Sequence, residues 1–185
     1  MALSKAKNET LLINIKKMKI LHAEKIVLIL ISIIPISILI GPAISLVNIV
    51  IFDVLIIYIL IIKKDFNWIS SPIIKILLIL YLYLIFNSLI SQKPELNLYR
   101  NLGFLRQIIF FLGVNYILSK NENLTKVFKV WSLTLLIVVI DIFIEKNFGK
   151  NILGYSAVNS IGSQRIVSFF KDEAIPGSFI HAFSF

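Results

Sequence analysis

The chain alternates long apolar runs with short polar breaks. Residues 26–40 read IVLILISIIPISILI and end at Gly41-Pro42, and a second run over 43–62 follows at once, so the pair predicts a tight helical hairpin. Further runs occupy 73–90, 102–118 and 127–144, and a last one starts at 175 and reaches Phe185. A helix needs about 20 apolar residues to cross about 30 Å of hydrocarbon. The first five runs therefore predict spans, whereas the last, at about 1.5 Å per residue, covers about half the thickness. An incomplete sixth span is expected there, as in the leading piece of a longer protein or in a half-helix packed on its neighbours. The reading is an all-α, polytopic integral membrane protein of about five to six transmembrane helices, with a basic segment over 1–25, a transmembrane region over 26–185 and a polar loop over 145–174.

Composition strengthens this picture. The chain is 58% hydrophobic and 16% charged, with a mean hydropathy of +0.90, more apolar surface than one soluble core of this size buries. There are no cysteines and two histidines, His22 and His181, so neither a disulfide framework nor a zinc constellation is expected, and no metal or cofactor. The net charge of +9 comes from lysines that flank apolar runs instead of clustering with aromatics, which argues against nucleic acid and for a bilayer as partner. Residues 11–22, LLINIKKMKILH, form a basic amphipathic stretch suited to an anionic leaflet, with His22 as a solvated side chain.

Alternating sides give the orientation. With the N-terminus cytoplasmic, twelve of the 19 Lys and Arg residues fall inside and seven outside, and all three arginines, Arg100, Arg106 and Arg165, are among the seven. Lysine suffices as a topology anchor, while the planar arginine fork suits bidentate contact with phosphate or carboxylate.

Several polar residues interrupt the apolar runs. Asp53 falls in the middle of the second span, where a carboxylate must face a partner, lose its charge or meet a water-filled cavity, and as a proton or cation site it would need further acids. Asp141 and Glu145 fall near the outer end of the fifth span. Pro35 is expected to kink the first span, and Asn87 to bond between helices. Trp68, Tyr81, Tyr83, Tyr116 and Trp131 fit interface belts or helix packing. Arg100 and Arg106 are six residues apart, about 120° around a helix, so they need not share a face. Arg106 either snorkels outward or lines a polar cavity. Arg165 precedes an acidic stretch and Pro176-Gly177 at the mouth of the last helix, a favourable place for an anion; pairing with Asp172 or Glu173 is the local alternative.

The stretch SQRIVSFFKDEAIPGSFI, residues 163–180, resembles the arginine-containing motif before a transmembrane helix in the O-antigen ligase and O-antigen polymerase superfamily. LYRNLGFLRQIIFFLGVNYIL (98–118) is similar to the arginine-bearing fourth span of those proteins, FGKNILGY to the segment after their fifth, and PISILIGPAISLVNIVI to their first hairpin. The resemblance implies a bacterial inner-membrane enzyme that moves a glycan from undecaprenyl diphosphate to an acceptor lipid or glycan on the periplasmic side. Arg165, and with it Arg106 and Arg100, would hold the carrier diphosphate, without a metal. The large periplasmic loop with the family's catalytic histidine has no match here, and His181 does not supply it, so the catalytic residue is unassigned and the chain alone is expected to be inactive. A non-catalytic multi-span subunit and a transporter fragment are the alternatives; a transporter would give Asp53 a role.

Overall fold

A computed structural model describes residues 2–64, 71–92, 94–119, 121–156, 158–160, 163–170 and 175–183. The helices are α1 (Ala2–Ser32), α2 (Ile34–Ile40), α3 (Pro42–Lys63), α4 (Pro72–Leu89), α5 (Pro94–Leu102), α6 (Phe104–Leu118), α7 (Asn121–Phe148) and α8 (Pro176–Phe183). Between α7 and α8 lie two three-residue strands, β1 (Val158–Ser160) and β2 (Ser163–Arg165), paired antiparallel with Val158 opposite Arg165, and then a 3-10 turn at Ser168–Phe170.

Four helical stretches are long and apolar enough to cross a membrane: α3, α4, α5 with α6 (Pro94–Leu118), and α7; a fifth results if Ile15–Ser32 and α2, bent by 51°, count as one. Only 11% to 28% of each of the four is buried inside the protein, so their outer faces, such as Ile76, Ile79, Leu82 and Phe86 on α4, need hydrocarbon as solvent. The chain is an all-α, multi-span membrane protein. Of the last apolar run, the described residues form the eight-residue helix α8.

The boundaries follow from breakers. No Gly or Pro occurs before Pro35, and α1 accordingly carries the basic segment and the first apolar run on one continuous helix. Gly41, at φ +152°, makes the reversal into α3, a conformation that a Cβ disfavours.

The helices divide into two units. In the first, Met1–Leu28 with Ile49–Ser119, α3 and α6 run parallel: Phe52 packs against Phe110 at 5.0 Å between ring centroids, the rings tilted by 56°, and Gly113 faces Phe52 and Ile56. At the C-terminal ends of these two helices, Lys63 Nζ donates to Glu24 Oε1 of α1 at 2.7 Å and also to the Tyr116 hydroxyl, which itself donates to Glu24. Three helices are thereby tied by one acid, one base and one phenol. Neither Glu24 nor Lys63 stood out in the sequence as more than a flanking charge.

In the second unit, Ile29–Asn48 with Lys120–Phe185, α7 packs against α2, α8 and the 3-10 turn. The bend before Pro35 leaves carbonyls without their usual helical donors, since proline has no N–H to offer the Ile31 oxygen four residues earlier. Trp131 Nε1 donates to Ile31 O at 3.1 Å, and Asn48 Nδ2 donates to Leu30 O at 3.2 Å. Trp131 is thus a helix-to-helix bond as well as an aromatic contact with Phe183. Trp131→Phe keeps the ring contact and removes the donor; it is expected to destabilise the protein by about 1 to 3 kcal/mol, read as a lower unfolding temperature in detergent, and an unchanged temperature would refute the role of this bond.

Candidate functional site

Besides the Lys63–Glu24–Tyr116 cluster, each unit carries a polar feature near the end of its spans among the described residues. In the first unit it is a recess of about 250 Å³ at the turn from α4 into α5, lined by Asn87, Ser88, Ser91, Asn97, Arg100 and Asn101. Three of these, at 97, 100 and 101, share one face of α5 through their three- and four-residue spacing. Asn101 Nδ2 donates to Ser88 Oγ at 2.6 Å and to Leu84 O at 3.1 Å, while Asn97 Nδ2 donates to Ser91 Oγ at 2.9 Å. The amide donors are thus used in fixing the wall, whereas the Arg100 side chain is exposed at it. The recess offers a guanidinium among hydroxyls and amide carbonyls, a combination that accepts an anionic, hydroxyl-rich group.

Arg106 lies elsewhere. It sits in the first turn of α6, within electrostatic reach of Asp53 on α3. Asp53 is 5% exposed, so the carboxylate has the charged neighbour that its depth demands. Of the residues singled out in the sequence, the structure thus places Asp53 within reach of Arg106 and Asn87 with Arg100 at the recess, which Arg106 does not line, in keeping with the angle of about 120° between positions six residues apart.

In the second unit, Asp141 and Glu145, four residues apart on α7 and 0% and 2% exposed, clasp the polar loop. Asp141 Oδ1 accepts from Ile152 N at 2.9 Å, and Asp141 Oδ2 accepts from Ser168 Oγ at 2.6 Å. Glu145 Oε1 accepts from Val167 N at 3.1 Å, and its Oε2 accepts from Ser168 N at 2.7 Å. Ser168 is fully buried in a left-handed conformation at φ 49°, and its carbonyl accepts from Asn151 Nδ2 at 2.6 Å. Asn151 in turn closes the turn before the hairpin, its Oδ1 accepting from Tyr155 N at 2.7 Å and its own N–H donating to Tyr155 O at 2.8 Å. Every polar atom of Ser168 is satisfied by α7 or by Asn151.

This clasp holds the chain two and three residues after Arg165. The backbone of Arg165 ends β2, while its side chain, like Lys171, Asp172 and Glu173, lies outside the described residues, as does Trp68. Below the loop, α2, α7 and the loop enclose an apolar groove of about 540 Å³, lined by Leu39, Ile40, Leu133, Ile137, Leu153 and Phe169 among others. Of the two histidines, His22 bonds through Nδ1 to Met18 O at 2.9 Å, and His181 lies in the last turn of α8. No protein-family model, no curated protein and no solved structure matches the chain.

Proposed function

We propose that this chain is the N-terminal membrane portion of a bacterial inner-membrane enzyme of the O-antigen ligase and polymerase type, with its N-terminus in the cytoplasm. It receives a glycan linked to undecaprenyl diphosphate at the periplasmic face for transfer to an acceptor lipid or glycan. The observation that supports this reading is the recess around Arg100, where a guanidinium meets amide and hydroxyl groups at the end of apolar spans. A carrier lipid with a diphosphate and a sugar presents the same sequence of chemistries: hydrocarbon, then anion, then hydroxyls. In this reading Arg100 grips the diphosphate and stabilises the charge that develops on it as the glycan leaves, and the resemblance adds Arg165 as a candidate for the same role.

Binding of undecaprenyl diphosphate to the purified chain in lipid nanodiscs tests the proposal. Loss of a charge-assisted bond in Arg100→Ala is expected to weaken binding by about ten- to a hundredfold. Arg165→Lys, which replaces a fork by a point charge, is expected to cut glycan transfer sharply in the intact protein in cells, read as lost surface polysaccharide. Equal binding by the wild type and Arg100→Ala would sink the reading and favour a non-catalytic membrane subunit.

A further inference from the structure

At the α3–α6 interface two charged side chains, the buried Asp53 and the half-buried Arg106, carry buried polar atoms with no hydrogen-bond partner among the described residues. Asp53 stands ten residues before the end of α3, about 15 Å along the helix, and among the described residues neither of its carboxylate oxygens accepts a hydrogen bond; Arg106 Nε is likewise buried and unpaired. The pair is fixed in place by its surroundings. Phe52, next to Asp53, packs against Phe110, one turn beyond Arg106, and Gly113 seats α6 directly on Phe52 and Ile56. The two charges lie within electrostatic reach of one another, without a direct ion pair among the described residues.

A buried polar atom left unmatched is expensive in hydrocarbon. A carboxylate offers acceptors only and a guanidinium donors only. A metal cation would meet the positive charge of Arg106 and finds no further acids, since no described cluster of three or more ligating side chains exists; an anion would meet Asp53. A group that both accepts and donates matches both sides. We infer that a water molecule is bound between Asp53 and Arg106, accepting from Arg106 Nε and donating to the Asp53 carboxylate, and so completes an intramembrane bridge from α3 to α6. The bridge commits the Arg106 charge to Asp53. On the reading given under Proposed function, diphosphate recognition in this unit then falls to Arg100 and not to Arg106.

Radiolytic hydroxyl labelling of the purified chain, without any glycan or carrier, reports bound water directly because radicals form from that water. Phe52 is 1% exposed and out of reach of bulk solvent, so its labelling in the wild type, falling to background in the Asp53→Leu/Arg106→Leu double variant, is the expected result. The double variant replaces the pair by apolar groups, and is expected to fold better than either single change, which strands one buried charge. Three results would overturn the inference: no labelling of Phe52 in the wild type, labelling that persists in the double variant, or a carboxylic-acid infrared band that disappears in Asp53→Asn and so shows a neutral Asp53. Since no carrier is present, these outcomes are independent of whether Arg100 binds a diphosphate.

Discussion

Replacing Gly113 with leucine is expected to abolish recovery of folded protein. An ideal Cβ at this position lies 2.6 Å from Ile56 Cγ1, 2.6 Å from Phe52 Cε1 and 2.9 Å from Phe52 Cζ, distances that side chains do not tolerate. Small residues at helix crossings let backbones approach, and within a bilayer that close packing is a main source of helix association. Alanine adds only the Cβ, and overpacking of this kind costs about 1 to 3 kcal/mol; leucine adds three further carbons in the same crevice, so α6 must leave α3. The Phe52 ring cannot simply swing aside, because it is pinned against Phe110. The check is the monodisperse fraction after detergent extraction: about wild-type yield with a lowered unfolding temperature for Gly113→Ala, and aggregate for Gly113→Leu. Adding Ile56→Ala and Phe52→Leu to Gly113→Ala makes room and is expected to recover part of the loss. A Gly113→Leu protein that elutes and melts like the wild type would refute the α3–α6 packing itself.

That packing marks where the sequence stops being informative. Span number and position are legible from run length, because hydrocarbon thickness sets a scale that each run either meets or does not. The reversal at Gly41-Pro42 and the bend before Pro35 are legible because only particular residues permit such backbone. Gly113 is visible as a small residue in an apolar run, but which side chains it meets depends on how α6 rotates against α3, and Ile, Leu and Phe on every side give no preference. The recess around Arg100 was half legible: the 97, 100, 101 spacing places its polar residues on one face of α5, whereas their apposition to Asn87 and Ser88 follows from the turn between α4 and α5. Asp53 demanded a partner by its depth, yet nothing along the chain chose Arg106 over the other cations.

The clasp on α7 was missed for a different reason. Asp141 and Glu145 lie four residues apart, a like-charge spacing that a helix tolerates poorly unless both groups are engaged, and that was the available signal. Three of their four partners are backbone N–H groups, of Ile152, Val167 and Ser168. Such donors are common to nearly all residues and leave no mark in a sequence. The resemblance around Arg165 directed attention to the arginine, whereas the residues that hold its segment are two acids on the preceding helix.

Glu145→Ala is accordingly expected to release the segment that follows Arg165 while leaving the spans intact. The change strands the N–H groups of Val167 and Ser168, both fully buried, and each such group costs about 1 to 3 kcal/mol. Two together shift the local opening equilibrium by about a hundredfold or more. The absence of cysteine in the chain allows a clean measurement: Val167, 0% exposed, replaced by cysteine reacts slowly with a maleimide in an otherwise wild-type background and fast alongside Glu145→Ala. Asp141→Asn provides the contrast. Its amide oxygen still accepts from Ile152 N, and the Ser168 hydroxyl rotates to accept from the new amide N–H, so labelling is expected to rise by well under tenfold. Equal rates in all three backgrounds would mean that the segment is held by something other than α7. If Glu145→Ala also lowers carrier binding while Asp141→Asn does not, the order imposed on the loop, and not the charge at the end of α7, is what the bound lipid uses.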